Sequence, residues 1–178
     1  RMETAGVGDL ELGLKYQLVD LPAVLSPMVS LKVPTGYHSR YDPPLGTGEF
    51  DVEARLLVSK SLYPLPVYAG LEGGYRLRGG VFSNQWLWSA EVGASPHARL
   101  FSKIFVTATN TQVPSSNANL GIVGVSAQVS EGDSRSIGAN VAVEVLPGLW
   151  VDMLLERTIG GENIGAGMSL GLGISVSR

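Results

Sequence analysis

The side chains that could carry chemistry in this chain are two histidines and a series of alternating charges. His38 lies in a long polar segment and His97 follows a proline, and neither has a serine or carboxylate partner at a spacing typical of a catalytic site. Asp51 and Glu53 are two residues apart, which places both carboxylates on one face of a strand, about 7 Å apart. Such a pair could serve a hydrolase or bind a cation, but Arg55 follows on the same face. The pattern favours a ladder of opposite charges, and we predict no enzyme activity, no cofactor and no metal site.

The composition excludes several classes of protein. Among 178 residues there are 13 basic and 16 acidic side chains, for a net charge of -3 and a pI near 5.4, and the basic residues do not cluster. Nucleic acid is therefore not an expected partner. The absence of cysteine excludes a disulfide scaffold and thiolate chemistry, while 23 glycines and 10 prolines are typical of strands and turns. The length fits one domain, which we assign to residues 1–178.

Apolar and polar side chains alternate through most of the sequence, and this two-residue period is typical of β-strands. It begins in the stretch from Leu10 to Leu18, is strong in "EFDVEARLLVSK", and ends in "IGAGMSLGLGISVS". No helical i, i+3, i+4 pattern competes with it, and no apolar run approaches the roughly 20 residues of a membrane-spanning helix. The sequence predicts nine or ten antiparallel strands, the doubtful one being "GIVGVSAQVS" at residues 121–130.

Short and long connections alternate between these strands, as in outer-membrane barrels with short periplasmic turns and longer outside loops. "YPLP", "SPH" and "LPG" are short, whereas "PTGYHSRYDPPLGTG" and "NTQVPSSNAN" are long and polar. With ten strands, strict alternation would place "LPG" at the long-loop end, where so short a turn is not expected. The stretch "TIGGENIGAG" is predicted to be a glycine-rich turn, which Arg157 stabilises by pairing with a neighbouring acid.

Three features favour a barrel in lipid over a soluble barrel. The apolar face is continuous, tyrosines and tryptophans fall on it near strand ends, and the opposite face mixes acids with bases. The predicted lumen-lining residues are Glu11, Lys15, Glu53, Arg55, Glu72, Arg76, Glu91, Arg99 and Lys103. The predicted lipid-facing and girdle residues are Leu12, Leu14, Tyr16, Val52, Leu56, Tyr75, Trp86, Trp88, Leu170 and Leu172.

Several motifs occur in an order that resembles a known family. "GVGDLELGLKYQL", "LKVPTGY", "LGTGEFDVEARLLVSKSL", "GYRLR" and "ERTIGGENIGAGMSLGLGISV" are similar to the Gram-negative outer-membrane β-barrel family labelled as MetA-pathway of phenol degradation. The resemblance implies a transmembrane barrel of about a dozen strands that passes small, often hydrophobic or aromatic, compounds. Members of that family usually have strands ahead of "GVGD", and outer-membrane barrels commonly end in an aromatic residue instead of "SVSR". Two interpretations of the N-terminal difference stay open: either the sequence lacks an N-terminal part, or the barrel closes with fewer strands. The last residues also point to a sequence that is part of a longer chain.

The sequence as a whole predicts an all-β, antiparallel transmembrane barrel in the outer membrane of a Gram-negative bacterium. Its expected function is that of a pore or facilitated-diffusion channel, with membrane lipid and a small-molecule solute as partners. Two alternatives stay open at this point: a structural or assembly barrel with an occluded lumen that binds proteins through its loops, and a soluble lipocalin-like carrier. The sequence identifies neither the solute nor a protein partner, and it leaves the oligomeric state open.

Overall fold

The computed structural model describes residues 7–20, 22–36, 47–80, 82–112, 132–162 and 167–176. Within these ranges no helix is long and apolar enough to cross a membrane. The described residues form nine strands: β1 Leu10–Lys15, β2 Val24–Val33, β3 Asp51–Ser61, β4 Val67–Arg78, β5 Gln85–His97, β6 Leu100–Thr111, β7 Asp133–Leu146, β8 Leu149–Glu162 and β9 Met168–Val176.

All nine strands belong to one antiparallel sheet in which each strand pairs with its neighbours in sequence, from β1 at one end to β9 at the other. The sheet curls into a half-barrel, which confirms the predicted all-β, antiparallel barrel-type fold. β6 pairs directly with β7 through Thr107 and Ser136, and the doubtful segment 121–130 lies outside the described residues. With β6 followed by β7 in the sheet, the "LPG" turn between β7 and β8 lies at the short-connection end, where its length fits.

The register between strands follows from the two-residue period of the sequence. Leu12 pairs with Leu31, which in turn pairs with Val52, so that one row of apolar side chains lies on one face of three strands. Because a slip of one residue would move every side chain to the other face, this pattern excludes register shifts by an odd number of residues. The alternation also extends β1 beyond its assigned end, since the backbone N–H of Leu18 donates to Leu25 at 2.9 Å.

Two strands are longer than the sequence predicts. β8 continues through residues 158–162 of the predicted glycine-rich turn, because β7 pairs with it as far as Asp133 and Glu162. A register shift near Ser136 absorbs the extra residue. Similarly, His97 is the last residue of β5 instead of a turn residue, and its Nδ1 accepts a hydrogen bond from the backbone N–H of Arg99 at 3.2 Å.

Burial in this sheet is the reverse of that in a soluble protein. Most of the charged and hydroxyl side chains lie on the concave face, where Asp51 is 4% and Glu53 is 3% exposed. Most of the large apolar side chains lie on the convex face, where Leu172 is 79% and Leu14 is 76% exposed. A lipocalin-like carrier requires its apolar face on the concave side, so the structure argues against that alternative.

Candidate functional site: the charged concave wall

An open cavity of about 710 Å³ lies on the concave face. One side of it carries Arg55, Glu72 and Arg76 from β3 and β4. Another carries Phe101 and Phe105 of β6. The cavity therefore combines fixed charges of both signs with aromatic rings, which is the kind of surface that can contact a small amphipathic solute.

The first group of charges, the Glu53 cluster, consists of Glu53, Arg55, Glu72 and Arg76. The carboxylate of Glu53 accepts hydrogen bonds from Arg55 and from Nε of Arg76, the latter at 2.7 Å, and Nη2 of Arg76 lies 2.6 Å from it. Arg55 also pairs with Glu72 on the next strand. Arg76 in turn donates to the side-chain oxygen of Gln85 at 3.2 Å. Each charge of the cluster thus has an opposite charge beside it, which offsets the cost of burying Glu53.

A second group, the Glu91 cluster, lies nearer to the short connections and consists of Tyr68, Glu91 and Lys103. The carboxylate of Glu91 accepts hydrogen bonds from the Tyr68 hydroxyl at 2.8 Å and from Nζ of Lys103 at 2.9 Å. The Lys103 ammonium also lies 5.6 Å from the ring centroid of Phe105, within range of a cation–π interaction. Tyr68 and Phe101 are stacked with centroids 6.1 Å apart, which extends the aromatic surface beside the charges.

The third group, the Asp51 cluster, lies at the long-connection end of the wall. Lys32 bridges Asp51, at 2.5 Å, and Asp9, at 3.6 Å. Nε of Arg78 lies 3.9 Å from Asp51, and its guanidinium lies 4.4 Å from the ring centroid of Phe82. The cluster joins β2, β3 and β4 to Asp9, the residue before β1, at this end of the strands.

Glycines on neighbouring strands make room for the large side chains of this wall. A Cβ atom on Gly93 would collide with the ring of Tyr68, and one on Gly138 would collide with the ring of Phe105. Each glycine is the cross-strand partner of the residue that carries the ring: Gly93 pairs with Tyr68, and Gly138 pairs with Phe105. The rings therefore lie along the wall over a glycine, and they do not project straight across the cavity.

The structure brings seven of the nine predicted lumen residues into contacts on the concave wall. Glu53, Arg55, Glu72, Arg76, Glu91 and Lys103 form the first two clusters, and Glu11 accepts a hydrogen bond from the Ser30 hydroxyl at 3.1 Å. Lys15 lines a neighbouring concave cavity of about 500 Å³. Arg99 stands apart, because it lies in the turn between β5 and β6, 3.8 Å from Glu144 and 65% exposed.

The lumen-lining residues predicted from the sequence do not include four that the structure places on the concave wall: Tyr68, Lys32, Asp51 and Arg78. Each lies on the polar side of its alternating segment, so the period alone could have placed them on the wall. The predicted lipid-facing residues all lie on the convex face: Leu12, Leu14, Tyr16, Val52, Leu56, Tyr75, Trp86, Trp88, Leu170 and Leu172. Among the described residues no group of three His, Cys, Asp or Glu side chains is arranged to hold a metal ion.

A solved outer membrane channel from Pseudomonas putida F1 has a similar structure. The two chains are 18% identical, the TM-score is 0.68, and the match covers 96% of this chain and 66% of that channel. The chain thus spans just under two thirds of the length of the channel, and the likeness shows a shared fold. No protein-family model matches the chain, and no curated protein does.

Proposed function

We propose that this protein is a pore or facilitated-diffusion channel for small molecules in the outer membrane of a Gram-negative bacterium. The observation that carries the proposal is the reversed burial, in which a predominantly apolar surface faces outward and a charged, cavity-bearing surface faces inward. Lipid acyl chains can cover the convex face at no cost in polar desolvation, and water can fill the concave one. The fold shared with an outer membrane channel supports the same placement.

The mechanism that fits this geometry is passive. The Glu53 and Glu91 clusters hold positive and negative charges in fixed positions beside the cavity, and a passing solute exchanges part of its hydration shell for contacts with them. Because the charges are largely paired with each other, the wall presents alternating local fields instead of one strong charge. Such a wall admits small polar or amphipathic solutes and selects weakly between ions.

Small aromatic or hydrophobic compounds are the solute class that we propose. Phe101 and Phe105 line the cavity close to Lys103, and the ring of Tyr68 extends this surface. Aromatic solutes gain from offset stacking on such rings, and a polar substituent can reach the neighbouring charges. The family resemblance of the sequence motifs points to the same class of compound.

Single-channel recording in planar lipid bilayers tests the proposal. The purified protein should give ion-conducting steps, and Arg76→Glu should shift the reversal potential in a KCl gradient towards cation preference. Arg99→Glu is the matched control, because Arg99 lies in an exposed turn and not on the cavity wall. A reversal potential that Arg76→Glu leaves unchanged would remove that residue from the lumen.

A structural barrel with an occluded lumen is the second candidate, and the dense ion pairing of the Glu53 cluster favours it. In such a barrel the charges would bridge the interior, and the loops would bind another protein. Bilayers that contain folded protein but show no conductance at any voltage would support this candidate over the pore. A protein that stays monodisperse in buffer after detergent removal would contradict both membrane proposals.

A further inference from the structure

Two arginines interrupt the apolar convex face at the long-connection end of β7 and β8. Arg135 and Arg157 are both exposed, and Arg157 pairs across the strands with Ile137, which lies two residues from Arg135 on the same face. Diagonal neighbours are about 7–8 Å apart in a regular ladder. A register shift between Arg135 and Ser136 interrupts the ladder here, but two long guanidinium side chains at about this spacing can still reach one small ligand. Within the described part of the chain neither guanidinium forms an ion pair or hydrogen bond, so the acid expected to pair with Arg157 is not found there.

The depth of the two arginines can be measured along their strands. Counted from the strand end at the short connection, Arg157 lies eight residues along β8 and Arg135 lies eleven residues along β7. At a rise of about 3.4 Å per residue and a strand tilt of about 40°, these positions are about 21 and 29 Å above that end. An outer-membrane barrel has an apolar band about 25 Å tall, so the two arginines bracket its far boundary.

Aromatic side chains mark the same level on β4 and β5 of the same sheet. Tyr75 lies eight residues along β4 and Trp86 lies eleven residues along β5, counted in the same way. The Tyr75 hydroxyl donates to Gln112 at 3.0 Å, so the ring has its polar atom at the end where the polar connections begin. Tyrosine and tryptophan on the outer surface of a barrel form girdles at the membrane boundary.

Only one residue of β6 separates Arg135 from Trp88 of this girdle in the sheet. Ala108 pairs with Trp88 on one side and with Arg135 on the other. Although Ala108 belongs to the convex face, it is only 3% exposed. The large side chains on both sides therefore cover it, and the aromatic and basic groups form one continuous surface at the boundary.

We propose that Arg135 and Arg157 bind a phosphate group of lipid A, the phosphorylated acyl glycolipid of the outer leaflet. Long connections mark the outer side of such barrels, so the pair lies in the leaflet that contains this lipid. Guanidinium groups bind phosphate oxygens in a bidentate manner, and the adjoining apolar face accommodates acyl chains. The nearby carboxylate of Asp133 accepts hydrogen bonds from the Thr111 backbone N–H at 2.7 Å and from Asn110 at 3.5 Å, which directs it towards β6.

This inference rests on the outer-membrane location in the proposed function and not on an open lumen. Its test is native mass spectrometry of the purified protein in detergent micelles with bisphosphorylated lipid A, with the same lipid after removal of both phosphates, and with phosphatidylglycerol. The wild-type protein should retain bisphosphorylated lipid A preferentially, and Arg135→Gln/Arg157→Gln should bind it about tenfold more weakly. Lys60→Gln is the matched control, because Lys60 is an exposed cation on the same convex face at the opposite end of its strand.

The lipid comparison keeps the test decisive even if the double variant fails to fold. Retention of dephosphorylated lipid A as strong as that of the phosphorylated form would overturn the proposal, as would equal retention of phosphatidylglycerol. Equal losses in the double variant and in Lys60→Gln would show a general effect of charge and would also overturn it. None of these measurements depends on channel conductance. A failure of the pore proposal would appear in the bilayer recordings and not in the lipid-binding results.

Discussion

The Arg55 side chain lies flat over Gly74 on the neighbouring strand. The two residues are cross-strand partners, and a Cβ atom on Gly74 would lie 2.6 Å from Cγ of Arg55 and 2.7 Å from the backbone oxygen of Ala54. Only glycine at this position lets the guanidinium run along the wall to Glu53 and Glu72. The width of the cavity beside Arg55 therefore depends on the absence of a Cβ methyl group at Gly74.

Replacement of Gly74 by alanine should therefore push Arg55 away from the wall. We expect the free energy of unfolding to fall by about 1–3 kcal/mol, as is typical of overpacking, and single-channel conductance to fall because the side chain then projects into the cavity. Gly73→Ala is the matched control, since the adjacent glycine lies on the convex face with no atom within 4 Å of its added Cβ. Urea unfolding and bilayer recording measure the two effects, and equal behaviour of the two variants would contradict the packing argument.

The second prediction concerns the carboxylate that holds two arginines. Glu53→Gln leaves Arg55 and Arg76 without their shared counter-charge, so we expect a loss of about 2 kcal/mol in the free energy of unfolding. This is less than the 3–5 kcal/mol of a fully buried broken pair, because the cavity is open to water. The lumen also becomes more positive, and the reversal potential in a KCl gradient should shift towards anion preference.

An exposed ion pair provides the control for Glu53→Gln. Arg99→Gln removes a contact of 3.8 Å to Glu144 at the surface, where such pairs contribute about 0–1 kcal/mol. Its unfolding curve and reversal potential should stay close to those of the wild type. If both variants lost the same stability, the burial of Glu53 would have no energetic role.

The third prediction tests whether lipid covers the convex face. Met153 lies four residues and Ile159 ten residues from the short-connection end of β8, and both side chains are at least half exposed. Arginine at the level of the bilayer midplane costs about 2–4 kcal/mol, and near the boundary about 0–1 kcal/mol. Met153→Arg should thus lower the free energy of unfolding in lipid vesicles much more than Ile159→Arg. Similar small losses in both variants would indicate a face in contact with water.

The two faces of the sheet could be predicted from the sequence because the period of a strand is two residues. Leu12 and Val52 face outward and Glu53 and Arg55 face inward, as alternation requires. The pairing of Arg55 with Glu72 could not be predicted, since it depends on the register between two strands that alternation leaves undefined by multiples of two. The number of strands could not be predicted for a similar reason. Alternation does not show which strands pair, and the pairing of β6 with β7 joins segments on either side of a long connection.

Strand ends were the least accurate part of the sequence interpretation. Gly160 and Gly161 indicated a turn by their residue type, yet tertiary pairing with β7 keeps both in β8. Alternation alone predicts that Arg99 lines the lumen, but β6 begins one residue later, so Arg99 lies in the turn. For Gly160 and Gly161 the deciding contacts come from the neighbouring strand β7.

The last prediction tests the Glu91 cluster by exchange of its charges. Lys103→Glu replaces the ion pair of Lys103 and Glu91, whose charged atoms are 2.9 Å apart, by two neighbouring carboxylates. Because the two like charges repel and the lumen becomes more negative, stability should fall and the reversal potential should shift towards cation preference. Adding Glu91→Lys in the same protein restores an opposite pair with the same net charge. The double variant should regain most of the wild-type reversal potential and stability, although Tyr68 loses the carboxylate that accepts its hydroxyl hydrogen bond. Strictly additive effects of the two substitutions on the free energy of unfolding would show that the side chains do not interact across the wall.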